Sequence, residues 1–346
     1  MIAPKQGNPK QGNEVAHPVP GPCLADIVDR LFTGHAAAVL FAFPSGCVDL
    51  VVTSPPYWTA VQYDDTKSPW SCYEDYLADM QSVWRECARV LRPNGKLCIN
   101  APIMPIPKEI IRQHTRHLKN LAFDMEQLIL SETDLERYSL FVWQKQTSKM
   151  MFGSYPYPGN IIENNTIEFI NVYVKPGKPP IFDRDVKEAS KLSRSEWLDL
   201  AQQVWFMYPE DVKRAGDHPA PFPTKLPGRL IRLYTHRAAG HFPGEVVLDP
   251  FMGTGMTCAV AKSMGRRYIG IDINPAYVKM AQDRVRDALA FDPLLWIGRP
   301  KYAGKAELKE FAAAEAGSKG RTAEPKHKRK TYGRKIKVKN EPLLPF

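Results

Sequence analysis

Glu245-Val-Val-Leu-Asp-Pro-Phe-Met-Gly-Thr-Gly255 is the stretch that decides the fold. A short apolar run, Glu245–Asp249, stops at a turn holding Gly253 and Gly255. A helical pattern over Thr257–Met264 follows, then a second apolar run, Tyr268–Asp272, and a second helix over Pro275–Leu289. Strand, glycine turn, helix and strand at this spacing form a βαβ unit, and such units build parallel sheets. Glycines at the turn let the backbone bend tightly and approach a ligand with no Cβ in the way. Asp272, at the end of the next strand, stands where an open parallel sheet hydrogen-bonds a ribose diol. Together they predict a nucleoside-cofactor site. A nicotinamide dinucleotide fits less well, because Cys258 stands at the third glycine position of G-x-G-x-x-G, and no G-x-x-x-x-G-K-[ST] exists for nucleotide hydrolysis.

Towards the N-terminus, the apolar run Val48–Val52 enters Thr53-Ser-Pro-Pro-Tyr-Trp58. Consecutive prolines fix φ and remove two backbone donors, which leaves rigid carbonyls. Ser54 adds a hydroxyl, and Tyr57 and Trp58 add flat apolar faces. Such a site suits a planar ring carrying an N–H₂ group, whose protons a hydroxyl and a carbonyl accept while an aromatic ring stacks on its face. Ligands of open α/β sheets bind outside the carboxyl ends of the strands, and both stretches fall on that rim.

Between the two, Ser71–Arg92 reads as an amphipathic helix with Ser71 and Glu74 at capping-box spacing, ended by Pro93-Asn94-Gly95. Lys96–Asn100 and Ile167–Val174 read as strands. Residues 176–217 are mixed, with a Trp-rich helical stretch whose Trp197 and Trp205 are expected in the core.

Outside the compact region, residues 4–13 repeat Pro-Lys-Gln-Gly-Asn in tandem and read with the rest of residues 1–23 as a disordered arm. The catalytic domain is expected over 24–295, with target-recognition elements within 102–165 and 176–217. Residues 296–346 read as a basic, disordered tail. The net charge of +10 is concentrated there: residues 319–340 hold ten Lys and Arg against Glu324 alone, so +9 lies in the tail and about +1 elsewhere. If the body holds nucleic acid, it does so through a local cleft, with the tail as a non-specific arm, a partner-binding segment or solvated charge.

Several classes are excluded. No run of about eighteen apolar residues suggests a membrane span, and the N-terminus has no secretory pattern. Six cysteines lie without C-x-x-C spacing, which argues against zinc and disulfide frameworks and for a reducing cytoplasm. His114 and His117 fit a solvated helix face better than a metal site, and no metal is expected.

Thr53–Trp58 followed by Asp249–Gly255 resembles the β-class DNA amino-methyltransferases, in which the catalytic stretch precedes the cofactor stretch. Val90–Lys96, Thr166–Pro176 and His218–Pro223 fit the same resemblance, which spans roughly residues 33–290. It implies a Rossmann-like S-adenosylmethionine-dependent methyltransferase fold, α/β with a mostly parallel sheet and permuted motif order, catalytic half first. It further implies S-adenosyl-L-methionine as cofactor, bound by Thr53, Asp249, Phe251, Gly253, Gly255, Asp272 and Ile273, and catalysis by Ser54, Pro55, Pro56 and Tyr57. Double-stranded DNA is the implied partner, a cognate restriction endonuclease is a candidate one, and a monomer or dimer fits. In that family Ser-Pro-Pro-Tyr is usual for cytosine N4 and Asp-Pro-Pro-Tyr for adenine N6, so N4 of a flipped-out cytosine is the expected target. Adenine N6 on the same scaffold, or a non-catalytic DNA-binding protein, are the rival readings. Methylation at carbon-5 of cytosine would need a nucleophilic cysteine, and the only Pro-Cys, Pro22-Cys23, lies in the arm. His35 departs from the family, whose members often carry Gly-Asp where this chain has Gly34-His35.

Overall fold

A computed structural model describes residues 23–58, 70–105, 118–145, 154–161, 163–207 and 223–288, together with Lys309. The expected arm and tail, His114, His117 and His218 lie outside the described residues. So does residue 295, the expected end of the domain.

The first elements are a helical turn α1 (Leu24–Ile27), β1 (Arg30–Thr33), α2 (Ala36–Phe41) and β2 (Val48–Thr53). Then come α3 (Tyr73–Val90), β3 (Leu91–Ala101), β4 (Ile103–Pro105), β5 (Leu118–Asn120), α4 (Leu121–Glu132) and β6 (Glu136–Lys145). β7 (Ile167–Val174), α5 (Arg184–Ser190), α6 (Arg194–Leu200), β8 (Val204–Met207) and α7 (Lys225–Tyr234) follow. The last are β9 (Val246–Asp249), α8 (Met256–Ser263), β10 (Arg267–Asp272) and α9 (Pro275–Asp287).

Eight strands form one sheet in the order β1-β10-β9-β2-β3-β7-β6-β8, and β4 pairs with β5 in a small antiparallel ribbon. β1, β10, β9, β2 and β3 are mutually parallel. β7 runs against both β3 and β6, and β8 pairs parallel to β6. The sheet is thus mostly parallel, as expected, with β7 the reversed strand.

The central strands are apolar on both faces because both faces are covered. Side chains alternate across a strand. Val51 of β2 therefore joins Met80, Val83 and Trp84 of α3 and Met125 and Ile129 of α4 on one face. Leu50 and Val52 join Leu226, Leu230 and Ile231 of α7 and Val260 and Ala261 of α8 on the other. β2 continues through α3 to β3 on one side, whereas β9 continues through α8 to β10 on the other. Right-handed crossovers leaving in opposite directions put their helices on opposite faces. Between β2 and β9 the winding reverses, and a crevice opens there at the strands' carboxyl ends.

Three local expectations differ from the structure. α3 starts at Tyr73 with Cys72 as N-cap and no side-chain cap. Ser71 and Glu74 form no capping box; instead the Asp75 carboxylate accepts the Ser71 N–H at 3.2 Å. The helix also ends at Val90, before Pro93-Asn94-Gly95, because the chain is already extended at Leu91, which pairs with Val48. The register then shifts so that Leu50 pairs with Lys96. Asn94, at φ 64, makes the bend, and the end of β7 holds it, Asn94 N donating to Lys175 O at 2.9 Å. Finally, Trp205 sits in strand β8 and is buried, while Trp197 is 56 % exposed, so only one of the two reaches the core.

Candidate active site

Thr53 and Asp249 are the last residues of β2 and β9, the two strands flanking the crevice. Thr53 Oγ1 donates to Asp249 Oδ1 at 2.7 Å, and both residues are buried. The same Oδ1 accepts the Phe251 N–H at 3.1 Å, which starts the turn after β9. Burial pushes the Asp249 carboxyl up to about 6, against the downward pull of the Thr53 hydroxyl. Thr257 also holds it down, yet neither Thr257 Oγ1 nor Asp249 Oδ2 closes a hydrogen bond among the described residues.

Asp272 braces that turn from β10. Its Oδ2 accepts the Gly253 N–H and its Oδ1 the Asn274 N–H, each at 2.8 Å. Burial raises its pKa, and these two N–H donors oppose the rise. Gly253 and Gly255 are both left-handed, at φ 51 and 80. A Cβ on Gly255 would lie 2.5 Å from Ala281 Cβ, so this glycine lets α8 pack on α9 and is needed for that contact. Ile273 is 69 % exposed beside Asp272. Phe251 is half-buried and meets Trp84 edge-on, with centroids 6.0 Å apart.

Across the crevice, Ser54-Pro55-Pro56-Tyr57 leaves the end of β2 and is anchored at both ends. Tyr76 of α3 donates its hydroxyl to the Pro56 carbonyl at 2.8 Å. Ser54 Oγ lies 2.6 Å from the Tyr57 hydroxyl and 3.1 Å from the Asn100 carbonyl. Trp58 is not an open face as expected: at φ 45 it turns inward, 8 % exposed, and meets Tyr73 edge-on at 4.9 Å. Residues 59–69 lie outside the described residues.

The sequence reading missed three residues of this neighbourhood: Asn100, at the carboxyl end of β3, Glu168 of β7 and Lys145 of β6. Asn100 Nδ2 donates to Glu168 Oε2 at 2.6 Å and to the Tyr57 hydroxyl at 3.2 Å. Lys145 Nζ meets Glu168 Oε1 at 2.9 Å. The signal was present, since Glu168 is the only acid in the apolar strand Ile167–Val174 and a buried acid needs partners. Among the described residues no cluster of His, Cys, Asp or Glu could hold a metal ion, and no helix is long and apolar enough to cross a membrane.

A doubly wound, mostly parallel sheet with the catalytic half first and an acid-braced glycine turn on its rim defines a Rossmann-like methyltransferase fold. A family model described as DNA methylase, of the N6/N4 type, matches residues 48–283, and the chain belongs to that family. It is 29 % identical over 289 residues to the type II methyltransferase M.Cfr9I of Citrobacter freundii, covering 74 % of this chain and 87 % of that protein. Over 272 residues it is 28 % identical to the DNA adenine methyltransferase YhdJ of Escherichia coli, covering 73 % and 81 %. Among solved structures it is similar to TTHA0409 of Thermus thermophilus, described as a DNA modification methylase and crystallised with S-adenosyl-L-methionine. The identity is 31 %, the TM-score 0.61, and the match covers 75 % of this chain and 94 % of that one.

Proposed function

We propose that this chain methylates an exocyclic amino group of a base in double-stranded DNA, with S-adenosyl-L-methionine as donor and cytosine N4 as target. The observation that carries the reading is the Thr53–Asp249 hydrogen bond, which seats the Ser54–Tyr57 turn against the glycine turn across one crevice.

The cofactor half fits such a donor. Asp272, with spare lone pairs on both oxygens, takes the ribose hydroxyls, Phe251 and Ile273 flank the adenine, and Gly253 brings backbone close. Asp249 Oδ2 and Thr257 Oγ1 are buried polar atoms awaiting a partner on the same rim. When bound, the cofactor supplies an electrophilic methyl group on a sulfonium.

The chain's own work is alignment and charge stabilisation. An aromatic amine's lone pair is delocalised into its ring and is a weak nucleophile. Acceptance of its two protons by Ser54 Oγ and the Pro55 carbonyl favours the pyramidal amine and stabilises positive charge as it develops. The prolines and the Tyr76–Pro56 bond fix those acceptors in advance. A base inside a duplex cannot reach the crevice, so it must be flipped out, with the Tyr57 ring offering the stacking face.

Ser54, where an Asp would favour adenine, supports cytosine N4; the similarity to an adenine methyltransferase favours the second reading, adenine N6. Incubating amplified, hence unmethylated, genomic DNA with the protein and S-adenosylmethionine, then digesting to nucleosides for mass spectrometry, separates the two. N4-methylcytosine is expected. N6-methyladenine would replace the target, and no methylated nucleoside at all would overturn the reading.

A further inference from the structure

Behind the Ser54–Tyr57 turn, Glu168 is 7 % exposed, and three donors converge on its carboxylate. Lys145 Nζ reaches it at 2.9 Å, Asn100 Nδ2 at 2.6 Å and the Tyr57 hydroxyl at 3.2 Å. A carboxylate offers only lone pairs, whereas a tyrosine hydroxyl has one hydrogen to place. The charge-assisted bond is the stronger use of it, so Tyr57 donates to Glu168.

The amide of Asn100 is oriented by the same charge. Its Nδ2 faces Glu168 and the Tyr57 oxygen, and its Oδ1 is buried with no hydrogen bond among the described residues. Flipping the amide would set a carbonyl against the carboxylate, so the orphaned acceptor marks how strongly Glu168 dictates the arrangement.

With the Tyr57 hydrogen committed, the 2.6 Å contact between Ser54 Oγ and Tyr57 can run one way only, with Ser54 donating. The other contact of Ser54, the Asn100 carbonyl at 3.1 Å, also takes a hydrogen from it. Either way the hydrogen of Ser54 points into the protein and its lone pairs point outward. We propose that Glu168, held by Lys145 and Asn100, is a positioning residue that sets the direction of the Tyr57–Ser54 hydroxyl chain, so that Ser54 meets the target amine as an acceptor. A serine turned the other way would donate to the amine nitrogen and occupy the electron pair that must attack the methyl group. The inference rests on the reading of Ser54 as acceptor for the amine. It adds what makes a hydroxyl, able to act either way, take that role.

The test is single-turnover methylation of amplified genomic DNA by the full chain at saturating tritiated S-adenosylmethionine, with cofactor affinity measured in parallel. Glu168→Gln offers Tyr57 an amide donor and lets the tyrosine hydrogen swing to Ser54. Methyl transfer should slow roughly 10- to 100-fold, with cofactor affinity and apparent KM for DNA within about twofold of wild type. In a Tyr57→Phe background the chain is cut, and adding Glu168→Gln should change the rate by less than about twofold, the signature of coupling through the hydroxyl. If Glu168→Gln does not fold, the isosteric pair Lys145→Met with Glu168→Met removes the charges together, and the same dependence on Tyr57 is expected. A wild-type rate for Glu168→Gln, or an equal loss with and without the Tyr57 hydroxyl, overturns the proposal. Ser54→Ala separates the levels. If it slows transfer while Glu168→Gln does not, only this inference falls; if it runs at the wild-type rate, the acceptor reading falls and takes the inference with it.

Discussion

Thr53 and Asp249 are 196 positions apart in the chain, yet their side chains are joined at 2.7 Å where β2 and β9 end. The bond holds a buried carboxyl whose pKa burial has pushed up to about 6. Such a group favours the fold when protonated: its contribution is present below the unfolded value of 3.8 and is lost as pH rises through about 6. Asp249→Asn has no such penalty. The stability of the ligand-free variant relative to wild type should therefore improve between pH 4 and 7, by roughly 2–3 kcal/mol. Urea unfolding of both proteins at several pH values measures it, and parallel profiles would refute the buried, proton-holding carboxyl.

Asp272→Ala should weaken S-adenosylmethionine binding about ten- to over a hundredfold, through a lost hydrogen bond of roughly 1.5–3 kcal/mol to a charged acceptor. Because the Gly253 and Asn274 N–H groups lose their partner as well, the melting temperature should also fall. Calorimetry with the cofactor beside a thermal melt checks both, and an unaltered affinity would remove Asp272 from the cofactor site.

Gly255→Ala should destabilise the protein by about 1–3 kcal/mol, since φ is 80 and the new methyl would lie 2.5 Å from Ala281 Cβ. Ala281→Gly in that background should restore part of the loss by removing the clash while the backbone strain stays. No rescue at all would mean that strain alone accounts for the cost.

Deleting the tail after Ser318 removes +9 of the net +10. If six of its cations sit on phosphates, the slope of log K against log salt should flatten by about five units, near 0.9 per phosphate. The methylated sequence should stay the same, because phosphate contacts position a protein and do not read bases. Titrations of one duplex at several salt concentrations, followed by mapping of methylated sites, test this. Equal slopes would show that the tail does not touch DNA.

The cofactor half of the fold was legible because β9, α8, β10 and α9 alternate locally, each period fixed by neighbours in sequence. β2 and β7 were legible as continuous apolar runs. β6, with Glu136, Arg137 and Gln144 among its apolar residues, and the four-residue β8 were not, since pairing far along the chain makes them strands. The site divides in the same way. Ser54–Tyr57 and Asp272 stand in contiguous motifs. Asn100, Lys145 and Glu168 acquire meaning only when β3, β7 and β6 lie side by side, with Trp143 opposite Glu168 and Asn100 opposite Ile170. Trp58 misled because burial beside Tyr73, and not its sequence neighbours, determines its role.

The strand order also bears on how the protein emerges from the ribosome. β1 pairs only with β10, and one edge of β2 is completed only by β9. A nascent chain that has exposed the first two hundred residues therefore displays Leu50, Val51 and Val52 along an open hydrogen-bonding edge. Such surfaces attract chaperones and other unfinished chains. Closing that edge must wait for a contact some two hundred residues away, which makes it an intrinsically slow step. Synthesis interrupted before Glu245 releases a molecule that carries Ser-Pro-Pro-Tyr but has nothing against which to seat it, so methylation cannot begin on a partly made protein.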